Sequence, residues 1–161
     1  MPNRQHAPLI KDAIAYALEL KPFRKFVLDN GVAVYAIDAG AEEVVQVELV
    51  FKAGNWYEPQ NLVAPTTNYL LKNGTSQRNA FDINEHFEYY GSYLNRNCYN
   101  ETSSISLHSL TKHLHELLPV MHELITDSTM PEAEMDIYRQ NMKQKLQVNL
   151  RKCDFVANRL I

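Results

Sequence analysis

The histidines are the first residues to consider as metal ligands or proton carriers. His115 and His122 are seven positions apart, which places both on one face of a helix, whereas His113 and His115 point to different faces. His86 has acidic neighbours on another helical stretch. A catalytic metal site needs three protein ligands that converge, and none of these groups supplies them. We therefore interpret these histidines as solvent-facing side chains of helices.

Nucleophilic chemistry is no better supported. Cys98 and Cys153 lack the close spacing of a metal site, and two cysteines make no disulfide framework, so we expect reduced and inert thiols. His108 lies in a stretch of serines and threonines that is typical of a strand and its turn, and it has no partner in the sequence for a nucleophilic role. The residue types alone therefore form no catalytic set.

Composition narrows the class of protein. Of the 161 residues, 45% are apolar and 22% are charged, as in a soluble globular domain. The net charge of −3 argues against a partner that is nucleic acid or an anionic membrane, because such partners require basic patches. No apolar run is long enough to span a bilayer. The N-terminus lacks the apolar core of a signal peptide, which favours a cytoplasmic location; removal of a leader would instead allow a periplasmic one.

The elements that must position any site are predicted from the periodicity of apolar residues. Asp29-Asn30-Gly31 between two alternating runs indicates a β-hairpin, and a third strand has every second residue apolar. Asn73-Gly74 is a typical end of a helix. The first half is predicted to contain strands at residues 23–28, 32–37 and 44–51, with Val45, Val47, Leu49 and Phe51 on one face, and helices at 63–71 and 79–90.

The second half repeats strands before helices. Strands are predicted at residues 93–98 and 102–107, followed by a helix from Leu110 to Leu124 in which Pro119 marks a kink or a restart. A last helix opens at Met130-Pro131-Glu132, with proline at a first-turn position. Its buried face is predicted to be Met135, Tyr138, Met142, Leu146 and Leu150. This order predicts an α+β fold, a mostly antiparallel sheet covered by helices.

The predicted domain organisation is simple. Residues 1–22 read as a polar lead-in, and residues 23–161 as one domain. Residues 131–161 read as helical, and Ile161 arrives without a stop signal, so we expect the domain to continue beyond it.

Several local motifs, in this order and spacing, resemble the insulinase/pitrilysin family of zinc peptidases from about residue 23 to about residue 150. In that family a helix carries His-x-x-Glu-His, the inverted zinc motif, and a later helix supplies a glutamate as third ligand. The resemblance implies an α+β, processing-peptidase-like domain. The motifs are Leu28-Asp29-Asn30-Gly31-Val32, Phe51-Lys52-Ala53-Gly54 with Tyr57-Glu58, Leu70-Leu71-Lys72-Asn73-Gly74-Thr75, Gly91-Ser92-Tyr93-Leu94-Asn95 and Met130-Pro131-Glu132-Ala133-Glu134.

The most informative difference between this chain and the family lies at the positions of the zinc ligands. Counted back from the Gly74-Thr75 ending, the positions of the inverted motif hold Pro65, Asn68 and Tyr69. A count without gaps places the third ligand at Lys145 and a supporting glutamate at Tyr138. An imino-acid ring, an amide, two phenols and an ammonium group cannot replace imidazole and carboxylate ligands. The resemblance therefore implies a peptidase domain without catalytic residues and without zinc.

What the family does with such domains suggests the function. Its active unit is a clamshell of paired homologous halves, so this chain is predicted to be the non-catalytic half, with a zinc-bearing homologous subunit or domain as partner and a peptide as substrate. The alternative is a stand-alone peptide-binding or scaffold module. A third reading, an enzyme with a new site around Tyr69, Lys145 and histidines, lacks an evident acid–base pair.

One surface could keep a function in the absence of the zinc site. The strand Tyr93-Leu94-Asn95-Arg96-Asn97 matches the edge strand to which active relatives add an extended substrate through backbone hydrogen bonds. This use needs an open edge and no metal, so these five residues are the predicted peptide-binding site. The alternative is that the edge is covered.

Overall fold

Two antiparallel strands, β1 (Phe23–Val27) and β2 (Ala33–Ile37), form the hairpin predicted at the start of the chain. Gly31 adopts φ of 85° in its turn, and the Asn30 side chain accepts a hydrogen bond from the Val32 amide at 3.1 Å. The computed structural model describes residues 19–40 and 42–160, so most of the predicted lead-in, residues 1–22, lies outside the described residues. The chain divides into two compact units, residues 1–41 and 42–161, and the hairpin belongs to the first.

The second unit contains the other elements in the predicted order. Short 3₁₀ turns at Asn55–Tyr57 and Thr111–His113 precede its first and third helices. The order is β3 (Val44–Phe51), α1 (Val63–Leu70), α2 (Ala80–Tyr89), β4 (Tyr93–Cys98), β5 (Ser103–Leu110), α3 (Leu114–Thr126), α4 (Glu132–Asn149) and α5 (Cys153–Leu160).

The sheet of this unit is antiparallel, with β5 between β3 and β4. Leu107 pairs with Val47 on one side and with Leu94 on the other, so all three side chains share a face. The predicted face of β3 is therefore the face that meets the helices, and the α+β prediction is confirmed. The core on this face consists of Ile83, Phe87, Leu94, Ile105, Leu107, Leu117, Val120, Met121 and Leu124.

The opposite face of the sheet is polar at its centre and along β4, whereas Val44 and Val50 of β3 are exposed on it. Its centre is formed by Ser104 and Ser106 of β5, which are buried, and the Tyr93 and His108 rings stack beside them with centroids 4.6 Å apart. Asn95 and Asn97 of β4 are exposed on this face. Small hydroxyl side chains tolerate water at such a surface, so the centre of this face does not require an apolar cover.

The start of the third helix differs from the prediction. Leu110 is the last residue of β5 and pairs with Val44, so it belongs to the sheet and not to the helix. The helix begins only at Leu114, after the 3₁₀ turn, and continues through Pro119 to Thr126. The apolar repeat misplaced the boundary because Leu110 fits the pattern of either element.

The prediction for the last helix is partly wrong. Met135 and Tyr138 are half-buried, but Met142, Leu146 and Leu150 are 41%, 49% and 56% exposed. The helical stretch is also interrupted, because α4 ends at Asn149 and α5 begins at Cys153. A periodic pattern shows which face of a helix is apolar, and burial additionally needs a neighbouring element. Among the described residues, only the first turns of α4 have one.

Candidate functional site between α1, α4 and the β4 edge

Helix α1 is held at its start by a carboxylate. The Glu58 side chain accepts hydrogen bonds from the amides of Leu62, at 3.1 Å, and Ala64, at 2.9 Å. Leu62 adopts φ of 74°, and the helix follows immediately. Pro65 is the third residue of α1, where the backbone amide would have no partner within the helix. Proline at the first predicted ligand position is therefore compatible with a regular helix.

Asn68, which is predicted to stand at the glutamate position of the inverted motif, is 6% exposed. Its side-chain amide donates a hydrogen bond to the backbone carbonyl of Ser104 at 3.1 Å. A carboxylate at this position would face that carbonyl without a proton to donate, which is unfavourable in a buried setting. The side chain at this position joins α1 to the sheet.

Tyr69 and Tyr138, the second histidine position and the supporting-glutamate position, pack together. Their ring centroids are 4.4 Å apart, so the structure brings these two predicted positions into contact across α1 and α4. The Arg96 guanidinium lies over the Tyr69 ring, 4.7 Å from its centroid. Aromatic stacking and a cation–π contact fill the space between the two helices.

Two contacts show how α4 runs along α1. Asn73 donates a hydrogen bond to the Glu134 carboxylate at 2.8 Å, and Tyr69 meets Tyr138. Position 69 lies four residues before position 73, and position 138 lies four residues after position 134. The two segments therefore run in opposite directions. Lys145, the fifth position, lies about two turns beyond Tyr138 on α4, and its side chain is exposed.

The residues present do not fit a zinc ion. Pro65, Asn68, Tyr69 and Lys145 offer no imidazole or carboxylate, and the Asn68 amide is already committed to Ser104. No group of three or more histidine, cysteine, aspartate or glutamate side chains suited to a metal ion occurs in the part of the chain that the structure describes. The absence of zinc from the protein in solution remains a prediction.

The predicted peptide-binding strand lies at an edge of the sheet. Within the described strands, β4 hydrogen-bonds to β5 alone. Tyr93, Asn95 and Asn97 are exposed, whereas Leu94 and Arg96 alternate with them toward the helices. The geometry required for strand addition is therefore present, and peptide binding by these residues stays a prediction.

Arg96 is the residue whose role the sequence reading missed. Its guanidinium donates hydrogen bonds to the Tyr69 carbonyl and, at 3.3 Å, to the Asn73 side chain, which in turn donates to Glu134. Arg96 thereby connects β4 to the end of α1. The available signal was its position, because it is the charged member of an inward-facing series whose other members are Leu94 and Cys98.

We expect Tyr69 and Tyr138 to stabilise the protein cooperatively. Tyr69→Ala and Tyr138→Ala should each cost about 1–2 kcal/mol, and the double variant should show a coupling free energy of about 0.5–1.5 kcal/mol. Urea unfolding of the four proteins measures this cycle. Tyr99→Ala is the control, because that ring is 61% exposed and contacts no other ring among the described residues, so its loss should cost less than about 0.5 kcal/mol. Strictly additive effects would contradict the stacking.

A cavity of about 450 Å³ lies between α1, β3, β5 and α3. Phe51, Thr67, Ser103 and Ile125 contribute to its wall. The Ser103 hydroxyl is buried and has no hydrogen-bond partner among the described residues.

Removing this hydroxyl should therefore not destabilise the protein. We expect Ser103→Ala to leave the free energy of unfolding unchanged or to raise it by about 0.5–1 kcal/mol, because a buried hydroxyl without a partner is unfavourable. Ser92→Ala is the matched control, since the buried Ser92 hydroxyl donates to the Phe87 carbonyl at 2.7 Å and its loss should cost about 1 kcal/mol. Equal losses in urea unfolding would contradict this assignment.

The fold and the cleft define a peptidase-like α+β domain in which the ligand positions hold other residues. The sequence model of the insulinase family, peptidase family M16, matches residues 33–160. The chain therefore belongs to the insulinase family. No helix among the described residues is long and apolar enough to cross a membrane.

Similar proteins agree with this assignment. The chain is 26% identical over 137 residues to the beta subunit of the mitochondrial-processing peptidase of Bos taurus, covering 84% of this chain and 28% of that protein. A structure described as the inactive domain of a peptidase M16 from Pseudomonas fluorescens superposes with a TM-score of 0.79 at 20% identity, covering 85% of this chain and 34% of that one. A Helicobacter pylori protease gives a TM-score of 0.71 at 17% identity, with 81% and 32% covered. The chain thus spans about a third or less of these relatives, and the structural likenesses concern the fold alone.

Proposed function

We propose that this chain is the non-catalytic half of a peptide-processing chamber whose other half is a homologous, zinc-bearing peptidase subunit or domain. One observation carries the proposal: the residues predicted to stand at the family's ligand positions pack and hydrogen-bond within the domain. The Asn68 amide binds the sheet, and Tyr69 packs on Tyr138. A domain that retains the family frame while its ligand positions serve packing is suited to forming a wall of a shared chamber.

Two further features support this proposal. The exposed Asn95 and Asn97 side chains lie on one face of β4, which suits contact with water and with peptide backbone. Two similar proteins are also consistent with the proposal, since one is a subunit of a processing peptidase and the other is an inactive peptidase domain. For this chain, catalytic inactivity and partnership are part of the proposal.

The experiment has two parts. The purified chain should contain no stoichiometric zinc by metal analysis and should hydrolyse no peptide, with or without added zinc. Mixed with a homologue that carries an intact His-x-x-Glu-His motif, it should form a stable complex with chelator-sensitive peptidase activity. One tightly bound zinc per isolated chain, with hydrolysis that a chelator abolishes, would reject the proposal.

The open edge of β4 favours a second candidate, a stand-alone peptide-binding or scaffold module. This function needs the edge strand and no partner subunit. Purification of the chain from its native cell discriminates the two, because a homologue with the intact motif should accompany it only if the chamber forms. Consistent absence of such a homologue, together with peptide binding by the isolated chain, would favour the second candidate.

A further inference from the structure

Two cations lie near Asn73 without an ion pair, since Arg96 donates a hydrogen bond to the Asn73 side chain and Lys72 precedes Asn73 in the chain. Lys72 follows the end of α1, Arg96 projects from β4, and both are half-buried. Neither forms a salt bridge within the described residues. Glu134 binds the other end of the Asn73 side chain and the Glu88 charge acts on Lys72, but neither carboxylate pairs directly with either cation. Partly desolvated positive charges that lack a direct ion pair are suited to binding an anion.

Arg96 also has hydrogen-bond donors that no described residue uses. One terminal nitrogen of its guanidinium makes the hydrogen bonds to Tyr69 and Asn73, and the remaining nitrogens make none to the described residues. Those nitrogens are not among the buried polar atoms without a partner, so solvent reaches them. A guanidinium that keeps accessible donors in a fixed plane can bind both oxygens of a carboxylate.

The electrostatic environment agrees with this geometry. Burial lowers the pKa of Lys72, the Arg96 charge lowers it further, and the Glu88 carboxylate opposes these effects. Burial also lowers the pKa of Arg96, while Tyr69 acts in the opposite direction. A bound anion would offset the cost of holding both cations in their charged forms.

The position of the two cations relative to β4 indicates what the anion belongs to. A peptide that adds to the open edge of β4 places alternate side chains on the face that Arg96 shares. Directly opposite residues of neighbouring strands have Cβ atoms about 4.5–5.5 Å apart. A side chain opposite Arg96 therefore reaches the guanidinium, and a side chain on the other face meets Asn95 or Asn97.

We propose that the β4 edge selects extended peptides that place a carboxylate beside Arg96 and Lys72. The carboxylate belongs to an aspartate or glutamate side chain or to the peptide's C-terminus. This inference rests on the proposed peptide-binding role of β4 and adds the class of peptide to it. Binding of such a peptide should weaken with added salt, because part of the attraction is between charges at a solvent-accessible site.

The test uses fluorescence anisotropy with four labelled seven-residue peptides of alternating threonine and valine. Three have blocked ends and a central glutamate, glutamine or lysine, and the fourth has a central glutamine and a free C-terminal carboxylate. We expect the glutamate peptide to bind about tenfold more tightly than the blocked glutamine peptide, with the lysine peptide weakest. Lys72→Gln should reduce that preference to about twofold or less.

Lys72 is the primary position because its side chain makes no hydrogen bond with the described residues, so its replacement should not disturb the fold. Arg96→Lys, which keeps the charge and loses the planar fork, should reduce the preference without abolishing it. Lys112→Gln is the matched control, since Lys112 is exposed in the 3₁₀ turn before α3 and should leave the preference unchanged.

The outcomes distinguish the carboxylate preference from the peptide-binding role of β4 on which it rests. If all four peptides bind equally, or the lysine peptide binds as well as the glutamate peptide, the carboxylate preference is wrong and peptide binding stands. If none binds, both the inference and the peptide-binding role of β4 are wrong. Tight binding of the peptide with the free C-terminus supports the inference and identifies the chain end as the source of the carboxylate.

Discussion

Replacing Gly54 with alanine is expected to destabilise the protein by about 3 kcal/mol or more, the largest effect of any single methyl group added here. Gly54 is buried after β3, and a Cβ atom on it would overlap the backbone carbonyl oxygens of Tyr99 and Asn100. Neither oxygen can move freely, because each accepts a 2.9 Å hydrogen bond, from the amides of Asn55 and Trp56 respectively. The added methyl group must therefore separate the two turns or break these bonds.

Urea unfolding, with the midpoint and the slope measured separately, checks this expectation. Gly91→Ala is a suitable control, since a Cβ atom on Gly91 meets no other atom within 4 Å but its φ of 62° is strained for alanine. That variant should cost only about 1–2 kcal/mol. Because the Gly54 turn leads into α1, Gly54→Ala should also loosen the cleft, visible as faster amide exchange in α1. An unchanged midpoint for Gly54→Ala would contradict the close approach of the two turns.

Restoring the family's ligands should restore metal binding. A variant with Pro65→His, Tyr69→His and Lys145→Glu should bind one zinc per chain at least about a hundredfold more tightly than the parent chain, which corresponds to about 2.8 kcal/mol. The two histidines would stand one helical turn apart on α1, and position 145 follows Tyr138, which contacts Tyr69, by about two turns of α4. Isothermal titration with zinc, followed by metal analysis after dialysis, measures the gain.

The same three changes with Lys145→Gln in place of glutamate form the matched control. They supply two ligands only, so zinc should bind more weakly than in the full variant. Asn68 is left in place, and the zinc-loaded variant should therefore hydrolyse no peptide, because no general base stands beside the metal. If the full variant binds zinc no better than its control, the count that assigns Lys145 to the third ligand is wrong.

Local patterns predicted the elements well wherever a turn residue or a strict alternation defined them. The hairpin around Gly31 and the paired strands β4 and β5 are confirmed, because their signals depend on the backbone and on neighbours close in sequence. Leu110 and the exposed Met142, Leu146 and Leu150 show the limit. An apolar residue reveals a preference for burial, but only the arrangement of distant elements decides whether a cover exists.

The candidate site shows a similar division. A count of positions identified Tyr69 and Tyr138 as equivalents of metal-site residues, and the structure places them in contact. The roles of Glu58 at the start of α1 and of Arg96 at its end were not predicted, because each depends on a hydrogen bond across a turn or between elements. The spacing of residues in the sequence rarely predicts which side chains join two elements.

The hydrogen bond from the Asn68 side chain to the Ser104 carbonyl has an evolutionary consequence. Regaining a glutamate at position 68 by one substitution would set a negative charge against that carbonyl before any metal were present to compensate. A substitution toward the family's glutamate at this position would therefore cost folding stability before it could contribute to any chemistry.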